Sequence, residues 1–296
     1  MKILISGAGG FLGKELISQL IDIEQVFLIA LTSQVSDLTN RFSEKNNILV
    51  LNRDAIINGE YQGDIDVFVN CAFPRNTDGS AMADGLKYIS QMLQAAVERS
   101  VKGIINISSQ SVYSQRRPEA ADENYPLTLE TPYAVGKYAT ELLTNSICAS
   151  VPHTNLRMAS LIGPGFNQRV TNKMAKYALE TGKIHIKLGK QYFGFMDVRD
   201  AARGIKDIIF SDTLTWSEVY NLGSNYAYTL KDIALCIQKS LRRKEIADLE
   251  IECEEIDVIM NTALDCRKIE QEIGFSAVLS LQDSIDEIVD SFVYEE

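Results

Sequence analysis

A glycine-rich turn set between a strand pattern and a helix pattern constrains this chain most. Lys2-Ile3-Leu4-Ile5-Ser6 is a short apolar run of the kind a buried parallel strand uses, and glycine ends it at once. Gly7-Ala8-Gly9-Gly10-Phe11-Leu12-Gly13 follows, and Leu12, Leu16 and Leu20 then recur every fourth position, which is helical spacing. Gly7 permits the tight turn, Gly10 lets a pyrophosphate approach the backbone, and Gly13 lets the helix lie close to the sheet. The helix start adds unpaired N–H groups and the positive end of its dipole. The segment reads as a dinucleotide-binding loop. A plain glycine turn is the alternative, and only the strand–turn–helix setting separates the two.

The pattern then alternates. Apolar strand runs are expected at 26–31, 47–51, 65–69, 103–107 and 154–158, with helices at 84–99 and 133–148. Beyond Gly163 the pattern loosens. Helices are expected at 171–180, 200–210, 229–241 (opened by a Thr229 cap) and 281–293, with a short strand at 195–198. Strands alternating with helices predict an α/β fold: a Rossmann-type doubly wound parallel sheet with a smaller C-terminal α/β substrate lobe. The expected division is a dinucleotide-binding domain over 1–165, with parts of 190–225 returning to it, and a mainly substrate-binding lobe over 166–296.

The charge balance narrows the partners. Of 296 residues, 40 are acidic and 29 basic, for a net charge of −11. Such a surface repels nucleic acid and anionic lipid, so the expected partner is a small-molecule substrate, with no nucleic acid and no membrane. No apolar run reaches the ~18 residues that span a bilayer. The five cysteines are scattered, none in a Cys-x-x-Cys, and His153 and His185 are the only histidines. No metal site is expected, and reduced thiols in a cytoplasmic protein are.

Counted on Gly7, Gly10 and Gly13, the loop is Gly-x-x-Gly-x-x-Gly. It resembles that of the extended short-chain dehydrogenase/reductase family, also called the NAD-dependent epimerase/dehydratase family. The resemblance implies a Tyr-x-x-x-Lys on the helix after the fifth strand and a Ser or Thr at that strand's end. Tyr133-Ala134-Val135-Gly136-Lys137 stands in that place, and Ser109 does within Ile107-Ser108-Ser109-Gln110-Ser111-Val112-Tyr113. Four positions put both side chains on one helix face. A free tyrosine, with a pKa of about 10, is a poor base at neutral pH, and a nearby ammonium favours its phenolate. The implied catalytic residues are Ser109, Tyr133 and Lys137. The resemblance further implies cofactor contacts from Gly7, Gly10, Phe11, Leu12, Gly13, Thr32, Ser33, Asp54, Ala55, Cys71, Ala72 and Met158, besides Tyr133 and Lys137. It implies substrate contacts from Ser160, Phe166, Asn167 and Arg75 beside Ser109, NAD or NADP as cofactor, and a homodimer through the helices that flank the site.

Three departures shape the functional reading. The second strand ends in Thr32-Ser33-Gln34 with no carboxylate until Asp37. An acid there reads the ribose 2′-hydroxyl of NAD, so charge leans toward NADP, although Arg41 is the nearest arginine. Gln110-Ser111 replaces the Asp-Glu of the family's 4,6-dehydratases and cannot shuttle ring protons. Phe193 stands where an Arg often holds a diphosphate, which leaves Arg169 or Arg199 for that role, and Asp200 reads as a helix cap. Two functions remain open. One is an NAD(P)-dependent epimerase or oxidoreductase acting on a sugar, in particular a nucleotide sugar, by reversible alcohol–ketone hydride transfer. The other is an NADPH-dependent ketoreductase of a non-nucleotide carbonyl.

Overall fold

The computed structural model describes residues 1–74, 77–246 and 248–294. Its centre is a parallel sheet of β1 (Lys2–Ser6), β2 (Phe27–Thr32), β3 (Ile48–Asn52), β4 (Val67–Asn70), β5 (Gly103–Ile107), β6 (His153–Met158) and the later β10 (Val219–Leu222). These lie in the order β10-β6-β5-β4-β1-β2-β3, every neighbouring pair parallel. The reversal of direction falls between β1 and β4, above which ligands bind in such sheets.

Helices cover both faces because the strands are buried on both. α1 (Phe11–Leu20) and α6 (Val198–Phe210) pack together over one face; α3 (Gly79–Glu98) and α4 (Pro132–Ile147) cover the other. α1 buries Leu12, Leu16, Ile17 and Leu20. Each such side chain contributes about 1.5–3 kcal/mol by leaving water. Asp78 caps α3 and Thr131 caps α4, whose first residue is Pro132, a position where proline's missing N–H costs nothing. One buried amide chain crosses the sheet: Ser6 Oγ donates to Asn70 at 2.7 Å, Asn70 to Asn106 at 2.9 Å, and Asn106 to Asn155 at 2.9 Å.

Between Thr32 and β3 lies α2 (Val35–Arg41), which buries only Leu38 and so shows no apolar stripe. After β6 come β7 (Ser160–Ile162) and β9 (Phe195–Asp197), paired in parallel. The C-terminal lobe contains α5 (Val170–Thr181), β8 (Lys183–Tyr192), α7 (Leu230–Arg243), β11 (Glu250–Asn261) and α9 (Leu281–Val293) around its own apolar cluster, including Ile184, Ile186, Ile237 and Ile288. α8 (Arg267–Ile273) packs on β10. β8 and β11 form a second parallel pair, which sequence patterning missed. Their outward positions carry opposite charges that face each other, as in Lys183–Glu250 at 2.7 Å and Lys187–Glu254 at 3.8 Å.

Thr229 caps α7 through a capping box with Asp232, as its sequence suggests. Asp200 is not the cap expected of it. Asp197 caps α6, and Asp200 sits buried inside the first turn, where it accepts from the backbone N–H groups of Val278 and Leu279 and pairs with Arg203. Among the described residues, no helix is long and apolar enough to cross a membrane.

Leu16 is fully buried between α1 and the sheet. Leu16→Ala is expected to destabilise the chain by about 2–5 kcal/mol, read from urea unfolding. A loss below about 1 kcal/mol contradicts this packing account.

Candidate active site

The glycine loop is shaped by contacts that leave no room for side chains. Gly7 has φ +69°, and a Cβ there would lie 2.8 Å from the Ala72 nitrogen; one on Gly13 would lie 2.4 Å from the Gly7 carbonyl oxygen. Gly10 is the N-cap of α1 and offers no side chain to its first N–H groups. Those donors and the helix dipole point at the loop.

Above the loop runs a cavity of ≈590 Å³, lined by Gly7, Gly9, Gly10, Thr32, Ser33 and Gln34 and by Arg53 and Tyr88 opposite. Cys71, Phe73 and Pro74, beyond β4, also line a second cavity of ≈840 Å³, so the two adjoin. The second holds Ser109, Tyr133, Lys137, Met158 and Ser160, with Phe11 and Leu12 at its floor. Together they form an elongated groove with a helix N-terminus midway, which fits a dinucleotide.

The three candidate catalytic side chains converge in the second cavity. Ser109 ends the β5 segment, caps the short turn at Gln110–Val112, and accepts from Ser111 Oγ at 3.0 Å. Lys137 is 5% exposed and donates Nζ to the Ile107 carbonyl at 2.7 Å. Its ammonium also lies 4.3 Å from the Phe73 ring centre. Burial pushes Lys137 down to about 8, with Cys71 and Glu141 opposing the shift. Tyr133 keeps 39% of its surface exposed, but its hydroxyl end enters the cleft. Burial pushes the Tyr133 phenol up, against the hydrogen bond from Ser109 and the positive field of Arg169. Cys71 is driven up to about 12 by burial and stays a thiol.

Several expected residues lie elsewhere. Ala55 is fully buried in the core, and Asp54 pairs with Arg53 at 3.4 Å while Arg53 is the one that lines the groove. Asn167 lines a neighbouring cavity with Lys14 and Arg41, whereas Phe166 reaches both and stacks on Phe11 at 4.5 Å. Arg75 lies outside the described residues. Arg199 is committed to Asp197 and Glu287. Arg169 is different: it lines the catalytic cleft over Phe166, and its buried Nε has no hydrogen-bond partner among the described residues. Phe193 forms part of the cleft wall, stacked on Phe195 at 5.6 Å. Sequence reasoning missed Arg53, Phe73, Gln115, Met260 and Thr262, the last two contributed by the end of β11 and its exit. No local motif marks them. Among the described residues, no group of three or more His, Cys, Asp or Glu could hold a metal.

Gly7→Ala forces a side chain into left-handed backbone and against Ala72. It is expected to weaken NAD binding about tenfold, corresponding to ~1.4 kcal/mol, as measured by calorimetric titration. Unchanged affinity contradicts the placement of the dinucleotide on this loop.

The chain is similar over nearly its whole length to known sugar-nucleotide enzymes. It is 25% identical over 311 residues to a Bacillus subtilis protein described as an uncharacterized UDP-glucose epimerase, covering 96% of each. It is 23% identical to a UDP-glucose 4-epimerase of Dictyostelium discoideum, over 95% of this chain and 93% of that one. The fold matches the UDP-glucuronic acid 4-epimerase of Bacillus cereus with a TM-score of 0.84 at 21% identity, covering 100% of both chains. Residues 3–223 match the NAD dependent epimerase/dehydratase family, and the chain belongs to it.

Proposed function

We propose that this chain is an NAD(P)-dependent epimerase or oxidoreductase that acts on a nucleotide sugar by reversible alcohol–ketone hydride transfer. The observation that carries this reading is the convergence of Ser109, Tyr133 and Lys137 on a cleft that shares its wall residues with the glycine-loop groove. Family membership and the full-length likeness to a UDP-glucose 4-epimerase support the substrate class.

The bound nicotinamide would supply a hydride acceptor and donor. Ser109 would hydrogen-bond the substrate oxygen, and Tyr133 would take its proton and return it when the ketone is reduced. Tyr133 needs help, because burial disfavours its phenolate. Arg169 lowers the cost of the phenolate, and the Lys137 ammonium, 6.0 Å from the Tyr133 ring on the same helix face, would add positive charge where low dielectric strengthens it. Gln110 and Ser111 line the cleft without a carboxyl group, so the ring deprotonation needed for 4,6-dehydration has no base there. Arg169, with its unpaired Nε, is the candidate diphosphate anchor that Phe193 does not provide.

A second reading, an NADPH-consuming ketoreductase, is favoured by the end of β2, where Thr32, Ser33 and Gln34 carry no carboxylate; Arg53 lines the same groove, as does the acid Asp84 from α3. Incubation with UDP-glucose separates the two. Epimerisation without stoichiometric loss of coenzyme supports the first, and NADPH oxidation with a non-nucleotide ketone alone supports the second.

Tyr133→Phe is expected to lower turnover by about 10²–10⁴-fold while NAD binding persists; near-normal turnover refutes the role of Tyr133. Turnover that needs the Lys137 ammonium should fall as pH rises through about 8, because the charged form is lost there. A profile flat up to free lysine's range, about pH 10, contradicts it.

We also assign the chain to a cytoplasmic homodimer. Its five cysteines are free, which suits a reducing compartment. Leu86, Ala139, Leu142 and Leu143 line a shallow apolar surface where α3 meets α4, and Leu142 is 52% exposed. Light scattering is expected to give twice the chain mass; a monomer overturns the assignment.

A further inference from the structure

Lys137 is a buried cation whose immediate partners carry no charge: the Ile107 carbonyl, the Phe73 ring, and the Tyr133 ring 6.0 Å away. The titratable groups that act on it are Cys71 at the end of β4 and, on its own helix, Tyr133 and Glu141. Burial keeps the Cys71 thiol and the Tyr133 phenol protonated at neutral pH. Glu141 is then the anion left among these groups.

Glu141 stands one helical turn beyond Lys137 and is 3% exposed. It accepts Arg157 Nε at 3.1 Å and Nη2 at 2.8 Å, and it accepts the hydroxyl of Ser108, the residue next to Ser109. Arg157, on β6, also donates to the Tyr113 hydroxyl at 3.0 Å, which donates to Asn221 on β10 at 2.9 Å. One carboxylate therefore ties α4 to the end of β5 and to β6, and through Arg157 to β10.

We propose that Glu141 is a positioning residue for the Tyr133–Lys137 pair: it is the counter-charge that keeps the buried ammonium charged and the tie that fixes Ser108, and so Ser109, against α4. The proposal rests on the hydride-transfer reading for what the pair does. The electrostatic claim stands apart from it. A carboxylate near a buried lysine favours the ammonium, so removing that charge must move the lysine's titration to lower pH.

Glu141→Gln removes the charge and keeps an acceptor for Ser108. Arg157 is kept, so that only one charge changes; removing its guanidinium as well would take away a cation and offset the effect on Lys137. Lys137 is followed in the full chain by NMR of carbon-13-labelled lysine, its signal assigned with Lys137→Met. The midpoint is expected to fall by about one pH unit in Glu141→Gln. Glu141→Asp, which keeps the charge, is expected to hold it. A folded Glu141→Gln chain whose midpoint stays within about 0.3 units of the parent's overturns the proposal, as does an equal fall in Glu141→Asp. If Glu141→Gln does not fold, the parent chain decides: a midpoint below about 6, the range of lysines buried without an anion, also overturns it. None of these readouts requires turnover. Near-normal turnover of Tyr133→Phe would refute the role of Tyr133 and leave the test of Glu141 intact.

Discussion

A lysine ammonium almost sealed from water is the constraint on which this structure depends. Burying such a charge costs several kcal/mol unless partners offset it. The chain assembles those partners from three places: the carbonyl of Ile107 at the end of β5, the ring of Phe73 past β4, and the carboxylate of Glu141 on α4. The same exclusion of water strengthens the field the ammonium exerts on Tyr133. The start of α4 cannot drift without breaking this balance, and Thr131 and Pro132 fix that start.

The amide chain from Ser6 to Asn155 serves the same end by another route. It joins four adjacent strands by buried side-chain hydrogen bonds, at the last residues of β1 and β4, near the end of β5 and midway along β6. A slip of one strand would leave buried amides unpaired, at about 1–3 kcal/mol each. The groove, the glycine loop and Ser109 all stand on those strand ends, so the register of the sheet sets the spacing between the dinucleotide groove and the candidate catalytic side chains.

The parts legible in the sequence are those that short segments specify. The glycine loop, the buried strand runs and Tyr133 with Lys137 each declare themselves within a few residues. The misplaced parts fail for physical reasons. Asp54 and Arg53 are neighbours, and only Arg53 reaches the groove. α2 buries Leu38 alone, so it lacks the stripe that reveals a helix. β8 alternates buried Ile184 and Ile186 with exposed neighbours, a signal present in the sequence, whereas β11 is exposed along most of its length and its glutamates pair outward with Lys183 and Lys187 instead of forming an apolar alternation. Met260 and Thr262 enter the cleft through a strand pairing between distant segments, and no local pattern encodes that.

That pairing has a consequence for the order in which the molecule can assemble. Parallel partners must be joined by a crossover, and here β8 and β11 are separated by β9, α6, β10 and α7. Contacts between segments so distant carry the loop-closure penalty before they return any stabilisation. During synthesis, Ser109 beyond β5 and Tyr133 and Lys137 at the start of α4 emerge well before Met260 and Thr262 exist. The chain can therefore form its cluster of candidate catalytic side chains as an open shelf, and the part of the wall that Met260 and Thr262 supply is added later.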